Sequence, residues 1–489
     1  MRAPRPPGRV PAAAADFRIG SYTSFLMPDT HVVVLAAGKG TRMTSALPKV
    51  LHRAGGRTLL EHVLHAAQAL QPRSVTVIVG YQAREVEAAL PKRLGLRFAL
   101  QEPQLGTGHA LLQAEPLLAG AEGMVVLLSG DVPLLQRSTL QELVRRHAEA
   151  GAAATVLTAV VDDPEGYGRI VRETGHGGRI AAIVEHKDAS PAERGIREIN
   201  SGIYAFDLGP LFDTVRAIGA ANAQGEYYLP DLVRLYRERG LVVETVTVED
   251  PREVLGVNSR KELAQVTAIL KTSRNDELMA SGVTLIDPAA VYVGAEVTVG
   301  ADTIIHPNVY LEGRTRIGAR CEIHSGVRIV DSTVEDGAVI NNFCVVTESV
   351  VARGARVGPF AHIRPQSSIG EGAHIGNFVE LKKTSIGRGS KASHLTYLGD
   401  ATIGERVNIG AGTITCNYDG VTKNPTTIDD GAFIGSDSQL IAPVRIGKDA
   451  YVAAGSSITD DVPPGALAIA RGKQVNKDGW VERKRRKKT

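Results

Sequence analysis

Two groups of residues in the 489-residue chain have the types and spacing that chemistry requires. The first is Leu35-Ala36-Ala37-Gly38-Lys39-Gly40-Thr41-Arg42-Met43, followed by Pro48-Lys49. Glycines at 38 and 40 let backbone N–H groups approach phosphate oxygens, while Arg42 and Lys49 bring positive charge to the same place. A dinucleotide-binding turn would need a third glycine where Met43 stands, and the G-x-x-x-x-G-K-[ST] loop is absent. Together with the Pro-Lys step, the segment is a nucleoside triphosphate cradle in outline. Ser129-Gly130-Asp131 ends an apolar run at the edge of an α/β sheet, where ligands collect. Nucleotidyl transfer needs a divalent metal to neutralise phosphate charge, and the Asp131 carboxylate is the natural ligand for Mg2+. A lone Asp after a strand is more often a turn cap; the cradle upstream reverses that prior.

The second group lies in Asn377-Phe378-Val379-Glu380-Leu381-Lys382-Lys383, Lys391 to Asp400, Asn408 to Thr413 and Thr415 to Gly420. His394 stands among Lys382, Tyr397 and Asn408. An amine attacking a thioester must lose a proton, and imidazole suits that task near neutrality, so His394 is the candidate general base. A single His is more often structural, but the polar neighbours favour function.

The elements that must position these residues follow from two patterns. Aliphatics recur every sixth residue at Val293, Val299, Ile305, Leu311, Ile317, Ile323 and Ile329. The beat returns at Val357, Ile363, Ile369, Ile375 and Leu381, and again at Ile428, Ile434, Leu440, Ile446, Val452 and Ile458. A period of six fits neither a helix nor strand alternation; it predicts short strands stacked as a hexapeptide-repeat parallel β-helix. The period does not decide its hand. Interruptions are expected at Val339 to Glu348 and between Ile409 and Ile428, where insertions become surface loops. Upstream, His31 to Leu35, Val75 to Gly80, Arg97 to Leu100, Met124 to Ser129 and Ala154 to Val160 read as strands, with helical stretches such as Leu59 to Leu70 between them. That alternation predicts an α/β domain with a mostly parallel sheet. The expected order is an extension over 1–26, an α/β domain over 27–258, a linker helix over 259–281, the prism over 282–471 and a basic tail over 472–489.

Composition bounds the rest. The net charge is +3, but the first 26 residues carry +3 and the last 19 carry +7, which leaves the body near −7. The Arg483 to Lys488 cluster could bind nucleic acid or acidic lipid; without interleaved aromatics it reads as a solvated terminus, so neither a nucleic-acid nor a membrane partner is expected. No apolar run approaches a membrane span. Residues 1–26 lack the apolar core of a secretion signal and have the form of a transit peptide, but Met27 just before the first strand makes an over-extended start the blander reading. Cys321, Cys344 and Cys416 have no paired spacing, which suits a reducing cytoplasm, and all three are expected as buried packing residues.

Taken with Gln101-Glu102, Gly106 to His109, Gly166 to Arg169, Glu185 to Lys187, Glu198 to Gly202, Gln224 to Tyr228 and Gly256 to Asn258, these motifs resemble the bacterial family of bifunctional N-acetylglucosamine-1-phosphate uridylyltransferases and glucosamine-1-phosphate N-acetyltransferases. The likeness runs from about Met27 to the tail. It implies a Rossmann-like nucleotidyltransferase domain, a left-handed β-helix, a cytoplasmic homotrimer, and acetyl-CoA and UTP as substrates, feeding cell-wall precursor synthesis. It places Leu35, Ala36, Ala37, Gly38, Lys49, Ser129 and Gly130 on the nucleotide, with Arg42 and Lys49 catalytic. Gln101, Gly106 and Thr107 would hold uracil; Gly168, Glu185 and Asn200 would hold the sugar; Asp131 and Asn258 would share the metal. The family often has an aromatic at Ser129. In the prism it implies Arg364 and Lys382 on the sugar phosphate, Tyr397 and Asn408 on the sugar, and Ala411, Asn417, Tyr418, Ser436, Ala454 and Arg471 along the coenzyme A path. The alternatives are a plain sugar-nucleotide pyrophosphorylase whose prism is only structural, and a silent scaffold. His394, Asn417 and Tyr418 argue against the first; retention of Lys49, Asp131 and Asn258 argues against the second.

Overall fold

The structure is a computed structural model that describes residues 29–90, 95–173 and 178–487. The 1–26 extension, Met27 and Lys488 lie outside the described residues. The chain divides into two compact units that do not follow simple chain order. One comprises Met1–Gly38, His65–Ser129 and Leu135–Pro251; the other comprises Lys39–Leu64, Gly130–Leu134 and Arg252–Thr489.

The first unit is built on a nine-stranded sheet. Its strands are β1 (Thr30–Leu35), β2 (Ser74–Val79), β3 (Arg97–Leu100), β4 (Met124–Ser129), β5 (Ala154–Val160), β6 (Arg169–Arg172), β7 (Ile180–Val184), β8 (Glu198–Asp207) and β9 (Val243–Thr247). The order is β9-β5-β8-β4-β1-β2-β3, with β6 on β8 and β7 on β6. β1 pairs in parallel with both β2 and β4, and β2 with β3. Val32, Val33 and Val34 are wholly buried, as a parallel strand covered on both faces requires. The expected five strands are all present. The long strand β8 adds an antiparallel element between β4 and β5.

The second unit contains the prism. A typical coil contributes three short strands, for example Ile304–Ile305, Val309–Glu312 and Arg316–Ile317, before the next coil begins at Glu322–Ile323. Successive coils pair in parallel, so Ile305 faces Ile323, Ile323 faces Ile340, and Ile340 faces Val357. Of the eighteen aliphatics on the beat, all but half-buried Val299 are buried in one continuous core. The interruption expected at Val339 to Glu348 is not there. Ile340 and Val346 sit in the core, and the beat instead loses one residue between Ile329 and Val334 and between Val346 and Val351. A prism corner can drop a residue while the inward position is kept. The coil also continues past Ile409 through buried Thr413 and Thr415. Only then does a hairpin turn leave it, closed by Asn424 N donating to the Asn417 carbonyl at 2.8 Å and by the Tyr418–Lys423 bridge.

Buried corner hydroxyls tie neighbouring coils together. Ser349 Oγ donates to the Arg364 carbonyl at 2.9 Å, Thr384 Oγ1 to the Leu398 carbonyl at 2.9 Å, and Ser390 Oγ to the Gly404 carbonyl at 2.7 Å. A buried hydroxyl without such a partner would cost stability, so these columns specify the stacking register. Cys321 and Cys344 are buried as expected, but Cys416 is only half-buried because it leads out of the coil into the hairpin. Residues 259–281, expected as a linker, contain the helix Arg260–Ala280, opened by a capping box in which Ser259 and Glu262 exchange hydrogen bonds. The described part of the basic tail is exposed and includes the helix Trp480–Arg486, with Lys484 over the Trp480 ring.

Two predictions follow from burial. A β-carbon at Gly376 would lie 1.9 Å from the Ser393 carbonyl oxygen, whereas one at Gly472 would meet nothing within 4 Å. Gly376→Ala is expected to lower prism stability by about 1–3 kcal/mol in urea unfolding, with Gly472→Ala as the neutral control. In the first unit, burial holds the His147 pKa down to about 4. The folded form therefore binds fewer protons than the unfolded chain between pH 6.5 and about 4, so stability is complete above pH 6.5 and falls as pH drops through that window, by roughly 3 kcal/mol. His147→Gln should flatten the decline in a pH series of unfolding curves.

Candidate active sites

The phosphate cradle begins where β1 ends. Ala36 N donates to the Ile78 carbonyl at 2.9 Å, and the Ala37 carbonyl accepts from Tyr81 N at 3.2 Å. Backbone bonds thus hold Leu35, Ala36 and Ala37 in the first unit up to Gly38, where an added β-carbon would meet only open space. In the second unit Gly40 has a φ of +65°, and a β-carbon there would lie 2.6 Å from Lys49 Cβ. Position 40 thus requires glycine twice over, for its conformation and for the close approach of Lys49.

Lys49 organises the centre of that segment. Its ammonium forms an ion pair with Asp131 Oδ2 and donates to Asn258 Oδ1 at 3.1 Å. Asn258 is positioned by the linker-helix cap, since Glu262 Oε2 accepts from the backbone N of Asn258 and of Ser259. Asp131 is held through its carbonyl, which accepts from Val257 N at 2.9 Å. Two hard oxygen donors therefore already converge on one cation, and that donor set fits Mg2+. Arg42 is exposed, and Gly130 is buried.

Within the first unit two further groups assemble. Gln101 is buried, and its Nε2 donates to the Gly106 carbonyl at 2.9 Å. Gly106, at φ +106°, packs on the backbone of Tyr227, while Thr107 Oγ1 accepts from Leu229 N at 3.1 Å. The second group is Gly168, Glu185 and Asn200. Asn200 N donates to the Gly168 carbonyl at 2.9 Å, and a β-carbon at Gly168 would sit 3.2 Å from Glu185 Oε1. Burial raises the Glu185 carboxyl pKa, with Asp188 and Asp231 adding to the effect. Ser129, short where the family often has an aromatic, directs its Oγ to the Gly202 carbonyl at 3.4 Å.

On the prism, the strands His374–Lys382 and Lys391–Gly399 pair in register over Asn377 and His394. His394 Nδ1 lies 2.9 Å from Asn377 Oδ1. An amide oxygen can only accept, so Nδ1 carries the proton and exposed Nε2 is the basic nitrogen. Arg364 and Lys382 occupy successive rungs, since Arg364 N donates to the Leu381 carbonyl at 2.9 Å. Arg364 Nη1 pairs with Glu380 Oε1 at 2.8 Å, and Glu380 lies in register with Tyr397. The hairpin turn brings Lys423 beside Lys382, whose side-chain hydrogen bond, and then its positive charge, lower the Lys423 pKa. Crowded cations of this kind are what a bound phosphate dianion would relieve.

Asn408 is half-buried on the rung that pairs with Lys391. Asn417 is buried with its Nδ2 donating to Asp400 Oδ2, and Tyr418 is exposed with its Oη donating to the Gly420 carbonyl at 2.6 Å. Ala411, Ser436 and Ala454 follow one corner of the prism. Asp437 N donates to the Ala411 carbonyl at 2.7 Å and Gly455 N to the Ser436 carbonyl at 2.8 Å. Arg471 Nη1 then donates to the Ala454 carbonyl at 2.7 Å. Sequence reasoning missed Asn377 as the partner of His394, and Lys423. The first was readable in principle, because the two residues stand 17 apart, one coil of the prism. The second depends on a hairpin turn that carries no repeat.

The pattern of the MobA-like NTP transferase domain matches residues 32–196. That of the GMPPB C-terminal domain matches 288–367, and the hexapeptide repeat of succinyl-transferase matches 425–460. The chain is 49% identical to the bifunctional protein GlmU of Pelobacter propionicus over 461 residues, covering 94% of this chain and 100% of that protein. It is 51% identical to GlmU of Trichlorobacter lovleyi over 94% of this chain and 99% of the relative. It is 50% identical to GlmU of Carboxydothermus hydrogenoformans over 92% and 99%. With two separate constellations in place and near-complete coverage of such relatives, the chain belongs to the bifunctional GlmU family.

Proposed function

We propose that the His394–Asn377 pair and the Lys49–Asp131–Asn258 trio are the working centres of two successive transfers. The enzyme acetylates glucosamine 1-phosphate from acetyl-CoA, then joins the N-acetylglucosamine 1-phosphate to UMP from UTP, releasing pyrophosphate and UDP-N-acetylglucosamine. The observation that carries the two-headed reading is the 2.9 Å contact that fixes the His394 tautomer, because a purely structural prism has no use for an oriented base.

In the acetyl transfer, Nε2 of His394 takes the proton as the substrate amine forms its bond to the thioester carbonyl carbon. The C–S bond then breaks, and coenzyme A leaves as the thiol once protonated. Arg364 and Lys382, joined by Lys423, hold the sugar phosphate, and Tyr397 and Asn408 fix the sugar. Ala411, Asn417, Tyr418, Ser436, Ala454 and Arg471 line the coenzyme A path; the small side chains on one corner leave room for an extended ligand.

In the uridylyl transfer, the sugar phosphate is already an anion, so no general base is needed. Its oxygen attacks the α-phosphorus of UTP, and the bond to the pyrophosphate oxygen breaks. Lys49, Arg42 and the backbone of Leu35 to Gly38 orient and neutralise the triphosphate, as Gln101, Gly106 and Thr107 hold uracil and Gly168, Glu185 and Asn200 hold the sugar. Asp131 and Asn258 would hold Mg2+, which neutralises phosphate charge when bound. Ser129 and Gly130 sit where the chain passes to Asp131.

Self-association as a homotrimer is the second part of the proposal. Phe343, Phe360 and Phe378 form an exposed stack with centroids 5.2 and 5.3 Å apart, and exposed Leu395 extends the apolar surface next to His394. An apolar ladder beside a catalytic base supports coverage by another copy of the chain. No helix among the described residues is long and apolar enough to cross a membrane. The substrates and three unpaired thiols favour the cytoplasm.

The test follows thiol release with acetyl-CoA and glucosamine 1-phosphate, and pyrophosphate release with UTP and N-acetylglucosamine 1-phosphate. His394→Ala should lower thiol release about 10²- to 10⁴-fold and leave pyrophosphate release intact. Asp131→Asn should lower pyrophosphate release about 10²-fold or more. A wild-type chain that releases pyrophosphate but never thiol would reduce the prism to a structural role.

A further inference from the structure

Away from both centres, the early coils of the prism bring together His306, Glu322 and His324. Strand alternation explains the grouping. Ile323 points into the core, so Glu322 and His324 on either side of it point outward. His306 follows Ile305, which pairs with Ile323, and therefore stands one coil from His324 on the same ladder. His306 N donates to the Ile323 carbonyl and His324 N to the Ile340 carbonyl, both at 2.9 Å. The two imidazole rings stack with centroids 4.6 Å apart.

The nitrogen–oxygen distances decide what the cluster can do. His306 Nε2 lies 3.4 Å and His324 Nε2 3.3 Å from the same oxygen, Glu322 Oε1. All three donor atoms lie within 4.8 Å of one another. Zinc bonds of about 2.0–2.1 Å to nitrogen and oxygen make a tetrahedron with an edge of roughly 3.3–3.4 Å. Two of the three edges already have that length. We propose that His306, Glu322 and His324 form a binding site for a divalent metal of the zinc class, which clips two consecutive coils of the prism.

Two imidazoles with one carboxylate suit zinc and disfavour magnesium, which prefers oxygen donors throughout. The rings are inclined by only 14°, so they turn about their Cβ–Cγ bonds to aim both lone pairs at one ion, and that torsion has a broad profile. The three side chains are 25–42% exposed, which leaves a fourth position for water. A solenoid coil is held only by its neighbours, so a clip near the start of the stack acts where support is thinnest.

The test is equilibrium dialysis of the chelator-stripped full chain against Zn2+ in excess Mg2+, which occupies the oxygen-donor site, together with thermal unfolding. Wild type should retain one more zinc per chain than the His306→Ala/His324→Ala double variant, and each single substitution should weaken binding about tenfold or more. Zinc should raise the Tm of the wild type by a few degrees and leave that of the double variant unchanged. If the double variant does not fold, Glu322→Gln, which keeps the side-chain shape, decides by the same loss of affinity. Equal zinc stoichiometry and equal affinity in wild type and variants, or no zinc retained by the wild type, would overturn the proposal.

Discussion

Everything on the prism depends on one burial constraint. An aliphatic side chain enters the core at nearly every fifth or sixth residue, which closes most coils in 17 or 18 residues, and one in 25 where the hairpin leaves, and stacks each in parallel on the last. Residues one coil apart in sequence thereby become neighbours about one strand spacing apart. That single rule puts Asn377 against His394, Arg364 beside Lys382, and His306 over His324. The corner hydroxyls of Ser349, Thr384 and Ser390 keep the stack from slipping, so distances between outward side chains are set by backbone geometry rather than by flexible loops.

The two centres divide the chemistry as their substrates require. A phosphate oxygen is already a nucleophile, and the trio of Lys49, Asp131 and Asn258 supplies charge without any oriented base. An amine attacking a thioester must shed a proton, and there the protein offers an imidazole whose tautomer is fixed by an amide oxygen. On the proposed reading, one site rests on electrostatic preorganisation and the other on proton transfer.

Much of this was legible in the sequence because repetition and burial leave strong marks. The hexad aliphatics, the strands of the α/β sheet, the helix after Ser259 and the glycine-rich cradle all carry local signals. Where reading failed, the physics was not local. The apparent gap at Val339 to Glu348 was a shortened corner, which shifts the beat by one residue without breaking the core. Cys416 is half-buried because a hairpin turn begins beside it, and Lys423 reaches Lys382 only through that turn. The raised Glu185 carboxyl pKa arises from burial created by the tertiary fold, which no spacing encodes.

The central claim is that one chain carries two separable active centres that work in sequence. The most direct measurement mixes purified His394→Ala and Asp131→Asn chains and follows UDP-N-acetylglucosamine formation from glucosamine 1-phosphate, acetyl-CoA and UTP. Each variant alone should form almost none, and the mixture should restore it, because N-acetylglucosamine 1-phosphate made by one chain diffuses to the other. A mixture as inactive as its components, with each variant folded, would contradict the account.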